Sequence, residues 1–127
     1  MVNQKSLTRV VLVAPAAAIT TNTDHTAVDV GAGYANVGGR EMRAILSAVM
    51  TANTTSVTVK LQDNTTSDTT GFADITGAAF AALTTTASAA DIFFQTNKRY
   101  VRAVTTVAGT TPSVQPIASV FLAGRSN

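Results

Sequence analysis

Three features of this chain predict an all-β fold, an antiparallel β-sandwich of jelly-roll type with about eight strands. β-Branched residues dominate its 127 positions, with 22 Thr and 15 Val, and such side chains suit a pleated, half-buried surface. Apolar and polar residues alternate at period two, most clearly where Val57, Val59 and Leu61 interleave with Thr58, Lys60 and Gln62. Clusters of Asn, Asp, Gly, Ser, Thr and Pro punctuate the chain roughly every 8 to 15 residues, a sandwich-like spacing. The 22 Ala do not argue for helices, because they stand beside Thr and Gly without sustained 3.6-residue spacing.

Taken in order, residues 1–6 are polar enough for an N-terminal arm, and residues 7–127 suffice for a single β-sandwich domain. Leu7 to Val13 reads as the first strand, stopped by Pro15. The same apolar run, ending in Ala16 to Ala18, has the outline of a signal peptide, but it is short and Pro15 interrupts it, so the strand is preferred. His25 to Val30 alternates as a short strand, and Gly31 to Gly39 is a glycine-rich loop around Tyr34 and Val37. In Glu41 to Thr51 the alternation of Met42, Ala44, Leu46, Ala48 and Met50 competes with Ile45 and Val49 at helical spacing. A strand buried on both faces and a short helix both fit, and β-rich neighbours favour the strand. Thr54 to Asp63 is a strand with one core face and one wet face, and Asn64 to Gly71 is a polar turn. A return strand begins at Phe72, with Phe72 and Ala73 as anchors. Gly77 to Leu83 is small and apolar, Thr84 to Ala90 is weakly patterned, and Ile92, Phe93 and Phe94 form the densest aromatic cluster. Lys98 to Val107 and Val114 to Leu122, joined across Ala108 to Ser113, read as a closing hairpin with Pro116 at an edge or bulge position.

The same residues say little about chemistry. Charged residues make up 13% of the chain, against about 25% in an average globular domain. So sparse a charge fits a surface partly covered by neighbouring copies or a larger assembly, and fits equally a neutral, wet surface of Thr and Ser. Without cysteine there is no disulfide framework and no thiolate metal site. The net charge of +2 is spread out. Only Lys98 to Arg102 approaches a basic stripe, and a strand there splits its charges between two faces, so no nucleic-acid partner is expected. No apolar run reaches the ~18 residues of a membrane helix, and no membrane partner is expected.

His25, the sole histidine, lies between Asp24 and Asp29, too few ligands to suggest a metal, and reads as a polar residue at a strand start. Asp63 to Asp68 offers oxygen ligands but lacks a calcium-loop pattern, and its Asx and Ser/Thr side chains suit a turn. The glycines at 31, 33, 38 and 39 do not make a phosphate loop, and no G-x-S-x-G frames a nucleophile. Phe93 and Phe94 read as core or subunit contact. No cofactor, no metal and no enzymatic activity is expected.

Two segments carry a resemblance. The first is Val57 to Asp63 with its polar turn and Gly71 to Ala78; the second is Lys98 to Val104 with the turn Val107 to Ser113 and a closing apolar strand ending at Gly124. From Val57 onward, roughly half the chain, the pattern resembles small virion structural proteins of tailed bacteriophages, the capsid decoration or head-associated β-sandwich proteins. That resemblance implies a protein on the surface of the virion capsid, stabilising the assembled head. Its partners would be the major capsid protein and other copies of itself, a trimer being the form suited to three-fold positions.

Contacts are expected from chain ends and loop tips: residues 1–14, loop 31–40 and loop 64–71. Val2, Lys5, Leu7, Arg9, Tyr34, Arg40 and Asp68 are the candidate capsid or subunit contacts. The competing readings are a tail or head-tail connector component forming a ring through sheet edges, and a carbohydrate-binding module. The second lacks an aromatic platform, since there is no Trp and only Tyr34 and Tyr100 stand outside the expected core.

Overall fold

The structure, a computed structural model, describes residues 7–13, 18–29, 40–50, 53–84 and 87–123. Nine strands follow in order: β1 Leu7–Val13, β2 Thr23–Asp24, β3 Val28–Asp29, β4 Arg40–Met50, β5 Thr54–Asn64, β6 Ala73–Ala79, β7 Ala87–Thr96, β8 Tyr100–Gly109 and β9 Val114–Ala123. They form two antiparallel sheets, one in the order β1-β9-β4-β7 and one in the order β2-β8-β5-β6, with β3 following β2 along the same edge of β8. The all-β expectation holds, and the two sheets make a β-sandwich.

Alternation decides what each strand buries. Met42, Ala44, Leu46, Ala48 and Met50 of β4 are buried, as is Phe94 of β7. They form one core with Val57, Val59 and Leu61 of β5, Ile75 and Ala78 of β6, and Val101 and Ala103 of β8. Ala44 and Ala103 are wholly buried beside Met42, Leu46 and Leu61, small against large, as close packing requires. β4 is therefore a strand, but not one buried on both faces. Its other face carries exposed Arg43, Ser47 and Val49. The aromatic pair likewise splits: Phe94 is buried and Phe93 is 61% exposed. Ala73 is exposed and Phe72 lies outside β6, so Ile75 and Ala78, not Phe72 and Ala73, anchor that strand.

The closing hairpin is not formed. β8 joins β5 on one side and β2 and β3 on the other, whereas β9 lies between β1 and β4 in the opposite sheet. With both edges of β8 hydrogen-bonded, β9 has no place beside it, and the four residues after Gly109 cross from one sheet to the other. Among the described residues β5–β6 is the one hairpin; apart from β2–β3, which both lie along β8, every other link between consecutive strands changes sheet. Pro116 sits on an inner strand, opposite Ala48 of β4. On the other side of β9, the β1 ladder reaches only to Ala118. A residue without an N–H is tolerated at a stretch flanked on one side only.

Candidate functional site

The register gathers the strand ends at two poles. At one pole lie the starts of β1, β4, β6 and β8 and the ends of β3, β5, β7 and β9: Arg40 opposite Thr96, Leu7 opposite Ala123, Asn64 and Asp29 both opposite Tyr100. Residues 1–6 join the domain at Leu7, residues 30–39 join it at Asp29 and Arg40, and the turn 65–72 joins it at Asn64 and Ala73. Of the segments expected to make contacts (1–14, 31–40 and 64–71), the ends at Leu7, Arg40 and Asn64 thus meet at one end of the sandwich, while Leu7–Val13 runs from it as β1. Clustering loops at the ends of a sandwich is how such folds build recognition surfaces.

Leu7 and Arg9 lie on β1, the outermost strand of its sheet, opposite Ala123 and Phe121. Arg40 opens β4. Asp68 lies exposed in the β5–β6 turn. Val2, Lys5 and Tyr34 fall outside the described residues. The turn is ordered from within: the Asn64 side chain accepts the Thr65 N–H at 2.8 Å and donates to the Thr70 carbonyl at 2.9 Å. Gly71 supplies the positive φ of +87° that ends it. This Asx geometry accounts for the polar composition that could also have suggested a calcium loop.

Beside the same turn is a cleft of about 320 Å³, lined by Asp24, His25, Thr26, Ala27, Ser67, Thr69, Phe72 and Arg102. The Arg102 side chain is only 12% exposed. Its guanidinium stands 4.5 Å over the Phe72 ring, its Nε donates to Gln62 Oε1 at 2.8 Å, and its Nη2 lies 3.4 Å from Asp24 Oδ2. His25 Nε2 shares a 2.8 Å hydrogen bond with the buried Thr105 hydroxyl, and the His25 N–H donates to the Ala103 carbonyl at 2.9 Å. Burial lowers the His25 imidazole from its ordinary pKa, and the nearby Asp24 carboxylate offsets this in part. The neutral ring therefore serves as a clip holding the β2–β3 segment to β8. A second, shallower depression of about 360 Å³ runs past Asp63, Asp74, Thr76 and Gln95. There the Gln62 and Lys60 side chains bond to Asp74 and hold its carboxyl below the usual range.

Sequence reading missed this cleft because its members come from β2, the β5–β6 turn and β8. It also missed two exposed apolar residues, Val49 at 65% and Phe93 at 61% exposure. Their signal was present: both fall out of phase with the buried alternation of their strands. Among the described residues no three His, Cys, Asp or Glu side chains are grouped to hold a metal ion, and no helix is long and apolar enough to cross a membrane. Compared with models of protein families, with curated proteins and with solved structures, the chain matches none.

Proposed function

We propose that this chain is a bacteriophage capsid decoration protein, a β-sandwich that binds the outer surface of the assembled head and stabilises it. The observation that carries the reading is that Leu7, Asp29 and Arg40, which flank residues 1–6 and 30–39, lie at the same end of the sandwich as the turn bearing Asp68. A pole of this kind meets a broad surface, as a covering protein must, and the low charge of 13% suits a protein packed into an assembly. The mechanism is mass action. A protein that binds assembled capsid and not free subunits shifts the equilibrium toward the intact shell.

The test is co-sedimentation with undecorated capsids, counting copies per particle. Hundreds of copies with a raised capsid melting temperature support decoration. A handful of copies assigns the chain to a tail or connector ring, and no binding removes the reading. Deleting residues 1–6 is expected to lower occupancy while leaving the melting temperature of the isolated domain unchanged. Full occupancy by the truncated chain would remove the arm from the contact.

A further inference from the structure

The outer face of the β1-β9-β4-β7 sheet carries a pattern that no single segment of sequence shows. Arg9 is opposite Phe121, Phe121 is opposite Arg43, and Arg43 is opposite Phe93. Cross-strand partners share one face of a sheet, and Arg43 and Phe93 are exposed. One row across four strands therefore reads arginine, phenylalanine, arginine, phenylalanine. The part whose side chains are described already pairs this way, with the Arg43 guanidinium 5.9 Å from the Phe93 ring centre. Around the row the face mixes apolar and polar positions: Ile45 and Val49 lie on β4, and register puts Ile117 opposite Ser47, Ser119 opposite Ile45 and Gln115 opposite Val49. Asp91, exposed on β7, is engaged by Arg43 through bonds of 3.0 and 3.1 Å, so that acid adds no unbalanced charge.

A row of four alternating members is complementary to its own reverse. A two-fold axis in the interface plane, parallel to the strands and between β9 and β4, lays β1 over β7 of a second copy and β9 over its β4. Position 9 then meets position 93 of the other copy, and position 121 meets position 43. Every arginine position faces a phenylalanine position, which is the favourable cation–π arrangement, and no two arginine positions meet. An axis along the row would instead set arginine against arginine. We propose that two copies of this chain associate face to face through this sheet, with the alternating row fixing their register. Face-to-face packing of one surface on itself is a two-fold contact, so this face supports a pair and not the trimer that three-fold placement suggests. The inference needs no capsid and stands apart from the decoration reading.

The test uses the full-length chain alone. Sedimentation equilibrium is expected to show 13.0 kDa chains in concentration-dependent exchange with a species of twice that mass. Phe93→Ser alters an exposed site and is expected to weaken association on the order of tenfold or more, with an unchanged circular dichroism spectrum. Thr58→Ala, on the outer face of the other sheet, is expected to leave association unchanged. Because the chain has no native cysteine, register can be read directly by disulfide formation. A mixture of Arg9→Cys and Phe93→Cys chains is expected to cross-link between the two variants, while neither variant alone cross-links. A monomer at every concentration, a dimer indifferent to Phe93→Ser, or cross-links between like positions would overturn the proposal.

Discussion

The two poles of the sandwich use similar residues under different rules. At the pole where β4 passes into β5 and β8 into β9, polar groups are buried and must find partners within the chain. Thr54, 7% exposed, does this with one hydroxyl: it accepts the Ser113 N–H at 2.8 Å and donates to the Ser113 carbonyl at 3.1 Å. Ile19 pairs with Val114 through both backbone bonds. At the opposite pole the bonds of Asn64 and the Arg99–Asp29 pair lie in water's reach. Water replaces such bonds at little cost, whereas a buried group left unpaired costs its full desolvation. The second pole also has one buried link between the sheets, the Thr96 hydroxyl donating to Asp63 and accepting the Lys98 N–H, beside these water-exposed bonds. Thus the first pole is occupied with holding two sheets together, and the second, apart from that link, is free to carry residues chosen for a partner.

The largest expected effect tests the first pole at Gly109. Its φ of +145° is rarely adopted by other residues, and an added Cβ would come within 2.2 Å of the Asn53 carbonyl oxygen. Gly109→Ala is expected to destabilise the domain by about 3–5 kcal/mol, read by urea denaturation. A loss under ~1 kcal/mol, the scale of an ordinary surface change, would mean that this crossing yields easily and that the poles do not differ as described.

A matched pair sharpens the comparison. Thr54→Val leaves the Ser113 N–H and carbonyl without their partner and is expected to cost about 1–3 kcal/mol. Asn64→Ala, which removes the exposed bonds to Thr65, Thr66 and Thr70, is expected to cost roughly 0.5–1 kcal/mol. Equal losses in parallel melts would show that the turn beside Asp68 is as structurally committed as the buried crossing.

The smallest effect is pH-dependent. His25 has a folded-state pKa below its ordinary value near 6.5, so the unfolded chain binds its proton more readily. Its contribution is full above pH 6.5 and is lost as pH falls from there through the lower folded value. Below that value both states hold the proton and the loss stops growing. Asp24, which favours the charged ring, and Arg102 beside it are the charged groups facing this site. His25→Gln is expected to remove this part of the acid sensitivity, seen as the difference between two melting-temperature profiles. Superimposable profiles would show that the histidine is not the clip on the β2–β3 edge.

Much of this molecule was legible one strand at a time. The alternation at Val57, Val59 and Leu61 identified the core face of β5, because side chains on a strand point alternately to two sides. Met42 to Met50 carried the same signal for β4, though Ile45 and Val49 made that strand read as buried on both faces. The Asx-rich segment after Asp63 marked the hairpin turn through local backbone bonding. Alternation also contained, unread, the exposure of Val49 and Phe93. It could not reveal their neighbours.

By itself, then, the sequence determined the strand character and core face of clearly alternating segments such as Thr54–Asn64 and where the chain turns locally. These follow from backbone sterics and side-chain polarity within a few residues. The weakly patterned β7, Ala87–Thr96, was not marked as a strand. Tertiary structure alone decided which strands share a sheet. Tyr100–Gly109 and Val114–Ala123 look like a hairpin until both edges of the first are taken by β5 and the β2–β3 edge. An edge can be hydrogen-bonded only once, so pairing is a competition among all strands of the chain. The same competition brought Arg9, Phe121, Arg43 and Phe93 into one row and the strand ends Leu7, Arg40 and Asn64 to one pole, and no local pattern encodes its outcome.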